Sequence, residues 1–148
     1  MQKTSSCPAI ISNLIAVNLY YLCKMKTFQV ILSVGSNTFQ EKNVAKAKEI
    51  LKKLLHDAVF SESIWTEPEG LQSDRFLNCL AAGSTVLTLE KLQTKLKQIE
   101  IELGDAPENH RNGIVNIDID TLQYGHRRLK EKDWKRSYVQ KLIKQIQQ

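Results

Sequence analysis

Asn116-Ile117-Asp118-Ile119-Asp120 alternates aliphatic and acidic residues, and this alternation predicts a half-buried β-strand. Side chains of a strand alternate between its faces, so Ile117 and Ile119 should enter a core while Asp118 and Asp120 share the opposite face. Two adjacent carboxylates repel one another, and a bound cation removes that cost. Mg²⁺ is typically held by one or two carboxylates together with waters and substrate phosphates. The segment therefore predicts either a magnesium site or a strand with a solvated polar face.

The flanking sequence predicts three further strands and three helices. Thr88 should cap the second helix, because its hydroxyl can accept a hydrogen bond from a backbone N–H of the first turn. Gly35-Ser36-Asn37 reads as a turn that ends the first strand, and residues 105–113 read as a loop. We expect strands near residues 28–34, 58–65, 76–87 and 114–124, and helices near residues 40–55, 89–103 and 134–146.

The predicted order is therefore β-α-β-β-α-β-α. Helices that cover one face of a mainly antiparallel sheet form an α+β fold. We expect a ferredoxin-like sandwich with a four-stranded sheet and helices packed on it.

The chain length of 148 residues suits one domain with a hydrophobic core. Residues 9–23 are apolar but contain a serine and two asparagines, and this run is too short and too polar to span a bilayer. Met25, the one internal methionine, directly precedes the first strand segment. We expect residues 1–25 to be an N-terminal extension outside the fold, with an upstream start choice as its origin, and residues 26–148 to form a single domain.

The cysteine content indicates the redox compartment of the protein, and the charge indicates which partners it could attract. Cys7, Cys23 and Cys79 are odd in number and match no metal or redox spacing, so we expect free thiols in the cytoplasm. Residues 126–148 carry eight basic and two acidic side chains, while the whole chain has a net charge of +5. Such a segment attracts nucleotide phosphates, nucleic acid or acidic lipid, although a solvated helix face is its commonest explanation.

Five short segments occur in an order that is more specific than any one of them. They are Leu-Ser-Val-Gly-Ser-Asn (32–37), Ile-Trp-Thr-Glu-Pro-Glu-Gly (64–70), Arg-Phe-Leu-Asn (75–78), Gln-Ile-Glu-Ile-Glu-Leu-Gly (98–104) and Asp-Ile-Asp-Thr-Leu-Gln-Tyr-Gly (118–125). Over residues 28–142 this series resembles the 6-hydroxymethyl-7,8-dihydropterin pyrophosphokinase family of the folate pathway. The resemblance implies a ferredoxin-like fold and an enzyme that transfers pyrophosphate from ATP to the pterin.

The resemblance also implies which residues form the site. Asp118 and Asp120 would bind two Mg²⁺ ions and, with Arg136, would be the catalytic residues. The pterin would be bound by Thr66, Glu69, Phe76, Asn78 and Tyr138, and ATP by Lys97, Glu100, Arg111, Thr121 and Arg136. An amide such as Asn78 donates and accepts at once, which suits the mixed edge of a pterin. Two aromatic rings can stack on the flat heterocycle from either side.

Several positions depart from the family pattern. Asp105 and Val115 stand where the family has arginines, and Asn112 replaces a tryptophan. The connection over residues 125–136 is short, and Lys130 falls where the family has a histidine. Because loss of one phosphate-binding group typically lowers a rate by about 10²–10³, the sequence leaves the level of activity open.

The sequence therefore favours a short, monomeric pterin pyrophosphokinase. Its expected partners are ATP and hydroxymethyldihydropterin, with no nucleic acid and no membrane. One alternative is a pterin- or nucleotide-binding paralogue that has lost the chemistry, which the residues at positions 105 and 115 favour. A second alternative is a basic nucleic-acid-binding domain, although the chain lacks an aromatic stacking platform on a sheet.

Overall fold

The computed structural model describes residues 15–17, 25–70 and 72–147. Apart from residues 15–17 and Met25, the expected N-terminal extension lies outside the described residues. The strands are β1 (Phe28–Ser36), β2 (His56–Phe60), β3 (Ile64–Thr66), β4 (Phe76–Thr85), β5 (Asp118–Tyr124) and β6 (Arg127–Arg128). The helices are α1 (Gln40–Leu54), α2 (Leu89–Glu102), α3 (Pro107–Arg111), α4 (Glu131–Trp134) and α5 (Ser137–Ile146).

The strands form one antiparallel sheet in the order β2-β4-β1-β5-β6, and β3 also pairs with β4. The long ladder between β1 and β4 runs from Phe28↔Thr85 to Ser36↔Leu77. The α+β class and the antiparallel sheet are confirmed, but the sheet has six strands where four were expected. The turn expected at residues 35–37 was also placed too early, because Gly35 and Ser36 are still within β1.

The strand expected over residues 58–65 is divided into β2 and β3 by a serine. The Ser61 hydroxyl accepts a hydrogen bond from the Leu80 N–H at 2.8 Å, while the Ser61 N–H donates to the Leu80 carbonyl at 2.9 Å. A side-chain oxygen thus replaces a backbone carbonyl in the ladder, which interrupts regular pairing. Both pieces remain antiparallel to β4.

Helices cover both faces of the sheet, not one as expected. The central strands are apolar on both faces, as strands buried between two layers are. The first core lies between the sheet and α1 with α2, and it includes Val30, Leu32, Leu51, Cys79, Leu96, Ile117 and Ile119. The second core lies between the sheet and α4 with α5, and it comprises Ile31, Leu80, Leu122, Trp134, Val139, Leu142, Ile143 and Ile146. We call the sheet surface that carries this second core the α5 face.

The helix boundaries agree with the sequence in two cases and differ in two. Helices α1 and α2 end within about a residue of expectation, and Thr88 accepts the expected capping bond from the Lys91 N–H. The expected last helix over residues 134–146 begins three residues later, as α5 at Ser137, and the short helix α4 precedes it. The extended backbone of Arg136 separates the two. The expected loop 105–113 contains the short helix α3, with Pro107 in its first turn. In the described parts of the chain, no helix is long and apolar enough to cross a membrane.

Candidate functional site

One expected pterin-binding residue and one expected metal-binding residue lie in the same row across the sheet. Gly35 of β1 is paired with Asn78 of β4 on one side and with Asp118 of β5 on the other. Residues paired in this way point to the same face, which here is the α5 face. Two strand spacings of about 4.8 Å place the Asn78 and Asp118 backbones about 10 Å apart. Gly35, which is buried, forms the floor between them, and its lack of a side chain leaves room for the Asn78 amide oxygen above it.

The acidic strand has the predicted arrangement of faces. Ile117 and Ile119 are buried in the first core, whereas Asp118 and Asp120 point to the α5 face. Although the strand was expected to begin at residue 114, β5 begins at Asp118 itself. The two carboxylates therefore stand at the very start of the strand.

The charge around Asp118 is unbalanced. The Asp118 side chain is solvent-exposed, but partial desolvation of its carboxyl group and the negative charges of Asp120 and Glu100 raise its pKa to about 7, and the opposing charge of Lys130 only partly offsets them. Oxygen ligands with excess negative charge suit a hard cation such as Mg²⁺. Within the residues that the structure describes, no group of three or more His, Cys, Asp or Glu side chains could hold a metal. A cation held by these two carboxylates would complete its shell with water or substrate oxygens, as Mg²⁺ usually does.

Thr66, Phe76 and Asn78 are brought together beside Gly35. The Asn78 amide donates a hydrogen bond to the Thr66 hydroxyl at 2.7 Å, and Thr66 is paired with Phe76 in the ladder between β3 and β4. A β-carbon built on Gly35 would lie 2.6 Å from Asn78 Oδ1 and 3.7 Å from the Phe76 ring. These side chains form one wall beside the floor at Gly35.

Near the start of α5, Tyr138 lies on the α5 face and Arg136 contacts the loop that carries Glu69. Tyr138 packs against the second core, and its burial raises the pKa of its hydroxyl, an effect that the neighbouring Arg136 opposes. The Arg136 guanidinium lies 3.1 Å from the Asp133 carboxylate and 4.0 Å from that of Glu69. Glu69 and Tyr138, which lie 69 residues apart in the chain, thus share Arg136 as a neighbour.

Glu100 supports the acidic strand from its open edge. Its carboxylate is buried, accepts a hydrogen bond from the Ile119 N–H at 2.8 Å and pairs with Lys97 at 2.8 Å. Lys97 also lies 3.9 Å from the Asp105 carboxylate. Since Ile119 stands between Asp118 and Asp120, the contact fixes the backbone that presents both carboxylates.

Asp105 adds negative charge to this region. Its buried carboxylate accepts a hydrogen bond from His110 Nε2 at 2.8 Å. Arg111, the next residue, ends α3 on the surface, and among the described residues it forms no ion pair. Of the two basic residues of α3, one is therefore engaged with Asp105 and the other is exposed.

Thr121, expected to bind ATP, is not brought to this surface. It is paired with Leu32 of the first core, so it points to the sheet face opposite Asp118 and Asp120. Its side chain is buried, and its hydroxyl has no hydrogen-bond partner in the described structure. The strict alternation of a strand explains the placement, because Thr121 directly follows an outward-facing aspartate.

Asn37 is a structural residue of the site that sequence reasoning missed. Its backbone N–H donates to the Val115 carbonyl at 3.1 Å, and its side-chain amide donates to the Gly113 carbonyl at 2.7 Å. The amide oxygen accepts a hydrogen bond from the Val115 N–H at 2.6 Å. These three bonds fasten the segment that leads into β5. The Gly-Ser-Asn sequence was the one signal that pointed to Asn37. From sequence alone, an asparagine in a local turn cannot be distinguished from one that binds a distant segment.

Several basic side chains of residues 126–148 are engaged within the chain. Besides Arg136, Lys141 lies 3.8 Å from the Glu62 carboxylate and the Arg128 guanidinium lies 4.4 Å from the Trp134 ring. Lys130 pairs with Asp120. These contacts reduce the number of cations that the segment could offer to a nucleic acid.

Comparison with known proteins identifies the family of the chain. A family model described as 7,8-dihydro-6-hydroxymethylpterin-pyrophosphokinase matches residues 31–148. The folate synthesis bifunctional protein of Arabidopsis thaliana is 30% identical over 122 residues, an alignment that covers 75% of this chain and 25% of the relative. The chain thus spans about a quarter of the length of that curated relative. Because the family model covers well over half of the sequence, the chain belongs to the 7,8-dihydro-6-hydroxymethylpterin-pyrophosphokinase family.

Proposed function

We propose that this chain transfers a pyrophosphoryl group from ATP to the hydroxymethyl oxygen of 6-hydroxymethyl-7,8-dihydropterin. Its family consists of transferases of folate biosynthesis that use ATP as co-substrate, generally with Mg²⁺. The observation that carries the proposal is the row of Asn78, Gly35 and Asp118 across three neighbouring strands. It provides an amide at one end, carboxylates at the other and a glycine without a side chain between them.

A flat heterocycle fits this row in one orientation. Since the Asn78 side-chain nitrogen already donates to Thr66, the Asn78 oxygen is the group with free capacity to accept a hydrogen bond from the pterin. Phe76 lies beside the floor and Tyr138 lies on the α5 face above the sheet, so the two rings can enclose the heterocycle. The hydroxymethyl group then points along the row toward Asp118 and Asp120.

The charges of the site suit the transfer step. The hydroxymethyl oxygen loses its proton to solvent and bonds to the β-phosphorus of ATP. The bond from that phosphorus to the α–β bridging oxygen breaks, so AMP leaves with this oxygen. Two Mg²⁺ ions at Asp118 and Asp120 would supply charge neutralisation for the phosphates. Lys97 and Arg136 present cations near the same surface, and Arg136 would exchange its contact with Glu69 for a phosphate.

A second candidate function, a binding paralogue with little or no turnover, is supported by Asp105. A buried carboxylate at that position repels phosphate, whereas an arginine would attract it. His110 can reduce this repulsion because it is hydrogen-bonded to Asp105. We therefore place the chain in the active class and expect a rate below that of an enzyme with both arginines.

Formation of AMP tests the proposal directly. The purified 148-residue chain is mixed with ATP, Mg²⁺ and hydroxymethyldihydropterin, and AMP is followed by chromatography. We expect AMP from the wild type and a loss of at least about 10²-fold in Asp118→Asn, because Asp118 would hold the Mg²⁺ that neutralises the phosphates. Asp57→Asn is the matched control, since Asp57 lies in β2, whose ladder with β4 begins at Ser84, far from Asn78.

Two outcomes separate the candidates. Pterin binding in calorimetry without any AMP from the wild type would reject the transferase and favour the binding paralogue. AMP formation that is equal in the wild type and Asp118→Asn would reject the assignment of the carboxylates.

A further inference from the structure

The carboxylate pair already has one cation from the chain itself. The Lys130 ammonium is hydrogen-bonded to the Asp120 carboxylate, whereas Asp118 has no ion-pair partner among the described residues. The Lys130 side chain is 47% exposed and that of Asp120 is 25% exposed. The pair is therefore open to solvent and able to exchange partners.

The fold holds the backbone of Lys130 firmly against β5. The strand β6 pairs with the end of β5, and the Leu129 N–H donates to the Leu122 carbonyl at 2.8 Å. The Trp134 indole N–H then bridges the carbonyls of Leu122 and Leu129, each at 3.0 Å. Lys130 follows directly, at the start of α4, so its stem starts from a fixed point beside the site.

The backbone of Lys130 is left-handed, with φ 52° and ψ 59°. This conformation is costly for a residue with a side chain, by about 1 kcal/mol, and glycine or asparagine would adopt it more readily. A lysine at such a position indicates that the ammonium group contributes something that offsets the strain. Its contact with Asp120 is the contribution that the structure shows.

We propose that Lys130 is an internal counter-ion that holds Asp120 in the free protein and moves to the triphosphate when ATP and a divalent metal bind together. This role rests on the metal site of the proposed function. An ammonium group and a metal ion compete for the same carboxylate oxygen, so one must leave when the other arrives. The flexible four-carbon stem lets the ammonium reach nearby phosphate oxygens while the backbone stays fixed.

The consequence is a coupling between metal and nucleotide. A metal ion alone must displace Lys130 without offering it a new partner. When ATP is present, the phosphates take up the ammonium and the competition disappears. Each ligand then raises the affinity for the other by the same factor, as linkage requires.

Binding of Mn²⁺ in the absence of nucleotide tests this role, because Mn²⁺ takes the same oxygen ligands and the free ion is counted by electron paramagnetic resonance. The comparison uses wild type, Lys130→Met and Lys144→Met. The control removes the same charge from the exposed end of α5, where Lys144 pairs with no carboxylate in the described structure. We expect Lys130→Met to bind Mn²⁺ about 3- to 10-fold more tightly than wild type, and the control to change less than about twofold.

The same proteins are then titrated with Mn²⁺ and a non-hydrolysable ATP analogue. In this titration the order of affinities should reverse. Lys130→Met should bind Mn²⁺ with the ATP analogue about 3- to 10-fold more weakly than wild type, because a charge-assisted contact to phosphate is lost. If Lys130→Met does not fold, Lys130→Asn with Lys144→Asn makes the same comparison, since asparagine tolerates the left-handed backbone. Circular dichroism establishes that each variant is folded.

Equal Mn²⁺ affinities for Lys130→Met and Lys144→Met would overturn the counter-ion role, and so would the absence of Mn²⁺ binding by all three proteins. Neither reading requires turnover. A protein that forms no AMP but shows the expected shift keeps the counter-ion and rejects the transferase. A protein that forms AMP but shows no change in Mn²⁺ affinity in Lys130→Met keeps the transferase and rejects the counter-ion role.

Discussion

Gly35 and Asn78 are partners in the ladder between β1 and β4, and their contact leaves no room for a side chain at Gly35. A β-carbon there would lie 2.6 Å from Asn78 Oδ1, a separation that requires the amide to move. The Asn78 amide is also the group that binds Thr66 at 2.7 Å. The glycine therefore leaves room for the Asn78 amide over the floor of the site and determines the orientation of that amide.

The first prediction concerns this glycine. Gly35→Ala should weaken pterin binding by at least about tenfold, because the displaced amide loses a hydrogen bond worth about 1 kcal/mol and the methyl group occupies the floor. Isothermal titration calorimetry with hydroxymethyldihydropterin measures the change. Gly83→Ala is the control, because its new β-carbon also meets a close atom, the His56 carbonyl at 2.9 Å, but at the other end of β4. Equal losses in both variants would mean that general destabilisation is the cause.

A second prediction follows from the pKa of Asp118, which is raised from its ordinary value of 3.8 to about 7. Between about pH 4 and pH 7 the folded protein binds this proton more tightly than the unfolded chain does. The free energy of unfolding therefore falls as the pH rises through this window, and the loss is complete above pH 7. Asp118→Asn removes the ionisation and should be more stable than wild type at pH 8.

Because Asp118 retains solvent exposure, the gain should be only about 1 kcal/mol, well below what the full pKa shift would imply. This corresponds to a rise in Tm of roughly 3–5 °C for a chain of this size. Below pH 4 the two proteins should melt together. Thermal unfolding at pH 8 and pH 3.5 makes the comparison, with Asp57→Asn as the control. An Asp118→Asn protein that melts lower than wild type at pH 8 would contradict the repulsion between the carboxylates.

The third prediction concerns Asn37 as a clamp on the segment before β5. Asn37→Ala removes two side-chain hydrogen bonds and leaves the Val115 N–H and the Gly113 carbonyl without these partners. We expect the free energy of unfolding to fall by about 2 kcal/mol. Asn109→Ala is the control, because its exposed amide makes a single bond of 3.2 Å to the Gly104 carbonyl, and it should cost about 0.5 kcal/mol.

Urea unfolding gives both values, and hydrogen exchange locates the effect. The Val115 amide should exchange faster in Asn37→Ala, whereas amides in the middle of β4 should keep their protection. Similar costs for the two asparagines would show that residues 113–115 are held by other contacts.

Local patterns predicted much of this fold because they depend on neighbours in sequence. The alternation from Ile117 to Asp120 sorted side chains to the correct faces, and Thr88 caps α2 as expected. The division between β2 and β3 depends on a bond between Ser61 and Leu80, which lie 19 residues apart. Nothing in the sequence around Ser61 distinguishes a serine that enters a ladder from one that faces solvent.

The site was predictable to the same extent. Motif order brought together Thr66, Phe76, Asn78 and Asp118, because each stands on a strand whose face follows from alternation. Lys130 could not be assigned this way, since its contact with Asp120 depends on how β6 folds back along β5. The family pattern offered no help there, because the residue differs from the one expected.

The last prediction separates two roles for Glu100, as a residue of the nucleotide site or as a support for β5. Glu100→Gln keeps an oxygen that can accept from the Ile119 N–H but removes the negative charge that helps to raise the pKa of Asp118. The pKa of Asp118 should therefore fall, and it can be followed by carbon-13 NMR of the aspartate carboxyl groups.

Glu102→Gln is the control, because Glu102 is an exposed carboxylate two residues further along α2. The Asp118 pKa should be lower in Glu100→Gln than in Glu102→Gln, while both variants keep the hydrogen-exchange protection of the Ile119 amide. Glu100→Ala should lose that protection, since it leaves the N–H without its partner. If Glu100→Gln loses the protection as well, the charge itself holds the strand, and the ion pair with Lys97 becomes part of the support.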